Sequence, residues 1–130
     1  MDILAALRGG LILTPFEVTV LSADGAKTNL AISPAIATNR RLAVVDLYVT
    51  ASAANTVSPA VRIGFGAATL PAAALAGVAG IIGSHPGLTA GSGFYGIPGI
   101  GEPGEELRLT CGAPTTGALV INYLYAIVRQ

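Results

Sequence analysis

Apolar and polar residues alternate along much of this chain with a period of two. In FEVTVL (16–21), Phe16, Val18 and Val20 fall on one side and Glu17 and Thr19 on the other, which predicts a half-buried strand. Ser22-Ala23-Asp24-Gly25 predicts a turn after it, because Asp-Gly takes positive φ at little cost. A weaker strand follows in TNLAIS and stops at Pro34. RRLAVVDLYVTAS (40–52) alternates most regularly: Ala43, Val45, Leu47 and Val49 are expected on one face, Asp46, Tyr48 and Thr50 on the other. PAVRIGFG (59–66) repeats the pattern, with Val61, Ile63 and Phe65 inward and Arg62 outward.

After Gly66 the alternation stops. ATLPAAALAGVAGIIG has room for one helical turn near 71–76, where Pro71 suits the first helical position. Gly77 and Gly80 oppose a longer helix. Alternation returns in EELRLTCG (105–112), with Leu107, Leu109 and Cys111 inward and Arg108 outward. The final GALVINYLYAIVRQ is apolar on both faces, with Leu119, Ile121, Tyr123 and Tyr125 on one and Val120, Leu124 and Val128 on the other. Such a strand lies inside a sheet with layers on both sides, or meets a neighbouring subunit. Six or so short strands separated by turn signals, with no long helix, predict an all-β fold. The expected form is a β-sandwich or jelly roll of antiparallel strands with one long Gly/Pro-rich loop.

That loop is GSHPGLTAGSGFYGIPGIG (83–101), which carries seven of the chain's 17 glycines and its one histidine. Gly91-Ser92-Gly93-Phe94-Tyr95-Gly96 fits G-x-G-x-x-G, but a dinucleotide site needs a helix to begin there, and IPGIGEPGEE cannot begin one. SHPG is expected to be a turn, with Gly87 at positive φ, rather than a catalytic histidine site. One His and one Cys on separate segments cannot make a metal site, and no cofactor is implied. Cys111 belongs with its apolar neighbours. Glu105 and Glu106 would point to opposite faces at the start of a strand, so the Glu102, Glu105, Glu106 cluster is expected to be a solvated turn rather than a glycosidase pair. Tyr48, Phe94, Tyr95, Tyr123 and Tyr125 are candidates for sugar stacking, but buried or interfacial roles suit them better. An enzyme is not expected. Leu88, Phe94, Tyr95, Ile97 and Ile100 give the loop apolar groups to bury, which makes it a candidate protein-contact surface.

Composition adds one argument. Only 11% of the 130 residues are charged, and seven acidic residues balance seven basic ones. Globular domains carry roughly 25% charge, so a surface this poor in charge points to self-association or a protein partner. Only Arg40-Arg41 place two basic residues together, so nucleic acid is not an expected partner. The longest apolar run, LPAAALAGVAGII, falls short of the roughly 20 residues a membrane helix needs. Asp2 in place of a basic start argues against a signal peptide, and the single cysteine against an internal disulfide.

At the N-terminus, Ile3, Leu4 and Leu7 line one side of a short helix that is marginal alone in water. Residues 1–14 are therefore expected to be an arm that contacts a neighbour, followed by a β-sandwich domain over 15–130.

RRLAVVDLYVTASAANTVSPAVRIGFGAATLPAA, GVAGIIGSHPGL and GEELRLTCGAPTTGALVINYLYAIV together resemble small virion proteins of tailed bacteriophages and phage-like gene transfer agents. The resemblance covers residues 38–128 and includes a Cys-x-x-Pro-Thr-x-Gly ending in CGAPTTG. It implies a head-decoration (cement) or head-fibre protein: a β-sandwich, often a homotrimer, made in the bacterial cytoplasm and bound to the major capsid protein or other virion proteins on the virion surface. It transfers no functional residue. The alternative is a carbohydrate- or receptor-binding sandwich module of a phage fibre.

Overall fold

The computed structural model of the chain describes residues 13–21, 25–52, 60–67, 80–88, 91–113 and 117–129. The N-terminal residues Ile3, Leu4 and Leu7 and the helical turn expected near 71–76 lie outside them.

The described residues are all β. Nine strands run in chain order: β1 (Thr14–Leu21), β2 (Lys27–Ala31), β3 (Arg40–Ala51), β4 (Val61–Gly66), β5 (Ile81–His85), β6 (Gly93–Tyr95), β7 (Gly99–Ile100), β8 (Glu106–Cys111) and β9 (Ala118–Arg129). They form two antiparallel sheets. One has the order β1-β9-β3-β6, with β7 also pairing with β3, and the other the order β2-β8-β4-β5.

Alternation places one row of each strand between the sheets. Val20, Leu47, Val49, Leu119, Ile121 and Tyr123 come from the first sheet, and Val61, Ile63, Phe65, Ile82, Leu107, Leu109 and Cys111 from the second; all belong to one buried cluster. Burying each large apolar side chain contributes about 1.5–3 kcal/mol, so this shared layer is the main force joining the sheets. β9 is interior, between β1 and β3. Its second apolar face is also used, since Ala126 and Val128 are buried on the side away from the main core, with Leu13 packed against them.

One predicted facing is wrong within β3. Leu42 and Val44 point into the core, as do Leu47 and Val49, so the parity changes between them. The pairing of β3 with β9 slips between Val45 and Tyr48, and Asp46 there has a φ of 52°. This is a β-bulge: one extra residue in left-handed conformation, which Asp tolerates better than most side chains. Ala43 and Val45 therefore lie on the opposite face from Leu47 and Val49. They are buried all the same, at 3% and 8% exposure.

The glycine-rich stretch is not simply a loop. It contains the end of β5 and all of β6 and β7, and it runs antiparallel along β3. Gly91 N–H donates to Ala51 O, Gly96 N–H to Leu47 O and Gly101 N–H to Leu42 O, at 2.8–3.0 Å. The next residue after Gly96 reaches the other sheet, where Ile97 N–H donates to Ile82 O at 2.8 Å. Adjacent residues thus bond to opposite sheets and close one side of the sandwich. Such closeness needs small residues. A Cβ on Gly96 would stand 2.5 Å from Ile82 O and from Leu47 Cδ2, and one on Gly101 would meet the Phe65 ring at 2.7 Å.

Candidate assembly surface

The pairing of four strands aligns one row across the outward face of the first sheet. Glu17 of β1 sits opposite Asn122 of β9, Asn122 opposite Tyr48 of β3, and Tyr48 opposite Tyr95 of β6. Each is the outward neighbour of core residues, so alternation alone turns all four to the same side. A depression of about 300 Å³ opens at the Glu17 end, lined by Pro15, Glu17, Asp46, Asn122 and Leu124. The bulge brings Asp46 to its rim. At the other end the Tyr48 and Tyr95 rings pack with centroids 4.5 Å apart.

Tyr95 is 77% exposed and Ile97 63% exposed, although the backbone on either side of Gly96 is bonded to both sheets. The outcome is an edge hydrogen-bonded to both sheets that leaves a large aromatic and a branched apolar side chain in water. Of the other expected contact residues, Ile100 is half-buried in β7. Leu88 is 1% exposed and belongs to the chain's own core. Phe94 faces inward, packs on that core and stacks on His85 with centroids 5.6 Å apart. These two pack inside the sandwich, and Tyr95 and Ile97 are the expected contact residues of this stretch that stay exposed.

His85 ends β5, and its Nδ1 accepts a hydrogen bond from Gly87 N–H at 3.1 Å. Gly87 does not adopt the positive φ expected of it. Cys111 is buried, and burial pushes its thiol above the ordinary value, against smaller opposing effects of the Lys27 backbone and charge. Its thiolate fraction is therefore low at neutral pH. The glutamates form a turn: Glu105 Oε1 accepts from Glu102 N–H at 2.8 Å, and Glu105 N–H donates to Glu102 O at 3.0 Å. Glu102 also lies 3.6 Å from Arg41, and Glu106 2.7 Å from Arg108. Among the described residues no three His, Cys, Asp or Glu side chains gather as metal ligands, and no helix is long and apolar enough to cross a membrane.

Two features escaped the sequence reading. One is the row itself, which depends on register. The other is Arg108, which points away from the core yet is only 6% exposed; it donates to Asn29 O at 3.2 Å and to Glu106 Oε1. An outward-facing arginine carries no sequence signal of burial.

No family model and no curated protein matches the chain. Among solved structures it is similar to the Drosophila NLP core, described for pentamer formation and histone binding, at 14% identity and a TM-score of 0.41, over 85% of this chain and 96% of that one. It is also similar to IMPa from Pseudomonas aeruginosa, solved with an O-glycopeptide, at 15% identity and a TM-score of 0.39, over 92% of this chain and 13% of that one. A third likeness is to the infectious bursal disease virus Gt strain structure, at 13% identity and a TM-score of 0.33, over 88% and 36% of the respective chains. Likenesses of this size leave the functional reading to the chain's own residues.

Proposed function

We propose that this chain is a structural virion protein, a capsid decoration (cement) or head-fibre component that self-associates and binds the major capsid protein. The observation that carries this reading is the exposed Tyr95–Ile97 edge. An apolar group in water is unfavourable, and a rigid one binds a partner with little further loss of conformational freedom. Tyrosine gives large contact area with few rotatable bonds. The low charge content of the chain supports the same reading. The homotrimer and the virion location follow from the resemblance of residues 38–128, and no catalytic role is part of the proposal.

Sedimentation velocity on the isolated protein, and its co-purification with capsids, test the reading. The expected result is an oligomer that Tyr95→Ser with Ile97→Ser weakens by about tenfold or more, corresponding to about 1.4 kcal/mol or more. A 12.9 kDa monomer that also fails to bind capsids rejects the proposal. The Tyr48–Tyr95 ring pair, in line with Asn122 and Glu17, favours one second reading: a carbohydrate- or receptor-binding fibre module. A sugar-dependent rise in Tm that Tyr95→Ser removes would select it.

A further inference from the structure

Among the described residues, three of the carboxylates are already engaged. Glu102 pairs with Arg41 and Glu106 with Arg108, and Glu105 accepts from Glu102 N–H. Glu17 and Asp46 form no ion pair among the described residues, and both are exposed. They line the same depression on the outward face of the first sheet, with Pro15 and Leu124 as its apolar lining and no cation among its described lining residues.

Lys27, Arg40, Arg62 and Arg129 likewise form no ion pair among the described residues. Arg62 stands alone between Thr110 of β8 and Ser84 of β5, on the second sheet. Arg40 and Arg129 are directly opposite one another on β3 and β9. Directly paired Cβ atoms lie about 4.5–5.5 Å apart, and like charges so placed repel. The next pair on the same face is Leu42 with Ile127, and Ile127 is 43% exposed. This end of the sheet therefore presents two guanidiniums beside an exposed branched side chain.

The two patches are complementary. One has two carboxylates about an apolar lining, the other two guanidiniums about Ile127. A carboxylate brought to Arg40 and Arg129 offsets their repulsion, and the guanidinium fork holds it through two parallel N–H···O bonds. The depression lies at one end of the row that reaches Tyr95. Three strand spacings separate the ends, roughly 14 Å, a distance that one protein contact spans.

We propose that the Glu17–Asp46 depression of one copy of this chain receives the Arg40–Arg129 pair and Ile127 of the next copy. The two patches are different parts of the chain, so the contact is head-to-tail, the kind that a ring of three copies requires. The inference rests on the self-association in the proposed function and names its contact.

Sedimentation velocity of the full chain over a concentration series tests it. Glu17→Lys with Asp46→Asn, and separately Arg40→Gln with Arg129→Glu, should each weaken association about tenfold or more. Glu17→Gln and Arg129→Gln, each a change at one exposed side chain, should weaken it in the same direction. Mixed in equal amounts, the two double variants should associate again, because the intact depression of one meets the intact arginine pair of the other. Undiminished association in both double variants, or weakened variants that stay apart when mixed, overturns the contact. If Tyr95→Ser with Ile97→Ser dissociates the oligomer and the charge variants leave it whole, self-association stands and this contact alone fails. An unaltered chain that is monomeric yet binds capsids also overturns the contact and leaves the virion reading standing.

Discussion

Tyr123, on the interior strand β9, donates its phenol hydrogen to the backbone carbonyl of Ile32, which continues β2 in the opposite sheet. Both residues are buried at about 2% exposure, so the bond crosses the dry core. Phe16 and Tyr125 pack on the same ring, at 5.5 and 6.2 Å between centroids. Apolar packing joins the sheets without fixing their relative position, and this bond supplies one directional tie between them. Tyr123→Phe removes the donor and leaves the Ile32 carbonyl unsatisfied at a cost of about 1–3 kcal/mol. Calorimetry should show a Tm lower by roughly 5–10 °C. A drop below about 2 °C would mean that the bond contributes little.

The same hydroxyl sets an alkaline limit. Burial, then the neighbouring Tyr125, pushes Tyr123 well above its ordinary value of 10.0, and burial pushes Cys111 above 9.0. Both groups bind protons more tightly in the folded state than in the unfolded state. Their contribution to stability is fully present below the unfolded values and is lost as pH rises through the folded ones. Tm should hold to about pH 9 and then fall. Cys111→Ser and Tyr123→Phe should each make the fall shallower; an unchanged slope in both variants contradicts this account.

Asp46 holds the β3 bulge at positive φ. Asp46→Gly relieves the left-handed conformation and should change stability by less than about 1 kcal/mol. Asp46→Val places a β-branched residue there and should cost about 1–3 kcal/mol. Urea titration of the two variants ranks them. If valine is as stable as glycine, the strand has lost its bulge.

Gly96→Ala brings a methyl group against Ile82 O and Leu47 Cδ2, both at 2.5 Å before relaxation. Backbone cannot yield as a flexible side chain does, so a loss of about 1–3 kcal/mol is expected. Hydrogen exchange of the Gly96 and Ile97 amides should speed up more than that of Ile63 or Leu109. Uniform acceleration would show that the closing stretch does not open separately.

Leu47→Asp places an unpaired charge in the core and should unfold the chain. Arg62→Ala, outward on β4, should change stability by less than about 1 kcal/mol. Circular dichroism melts of the two variants compare the faces directly. Equal losses would contradict the strand facings.

The all-β class, the two-sided apolar character of β9 and the inward rows of β1, β4 and β8 are legible in the residue pattern alone. In each of these strands the core residues recur at every second position without interruption, and a pleated strand converts that period directly into facing. The pattern also identified Tyr95 and Ile97 as apolar groups on a glycine-rich segment. Other features arise only where strands meet. VVDLYV alternates as well with a bulge at Asp46 as without one, so the flip between Val45 and Leu47 depends on how β3 meets β9. The glycines of 91–101 read as loop residues because intrinsic propensity disfavours glycine in strands. They form an edge because Leu47, Phe65 and Ile82 leave space there only for a residue without a side chain. The rows Glu17–Asn122–Tyr48–Tyr95 and Thr110–Arg62–Ser84 join residues far apart in the chain. Register alone brings them together, and register is a property of strand pairs.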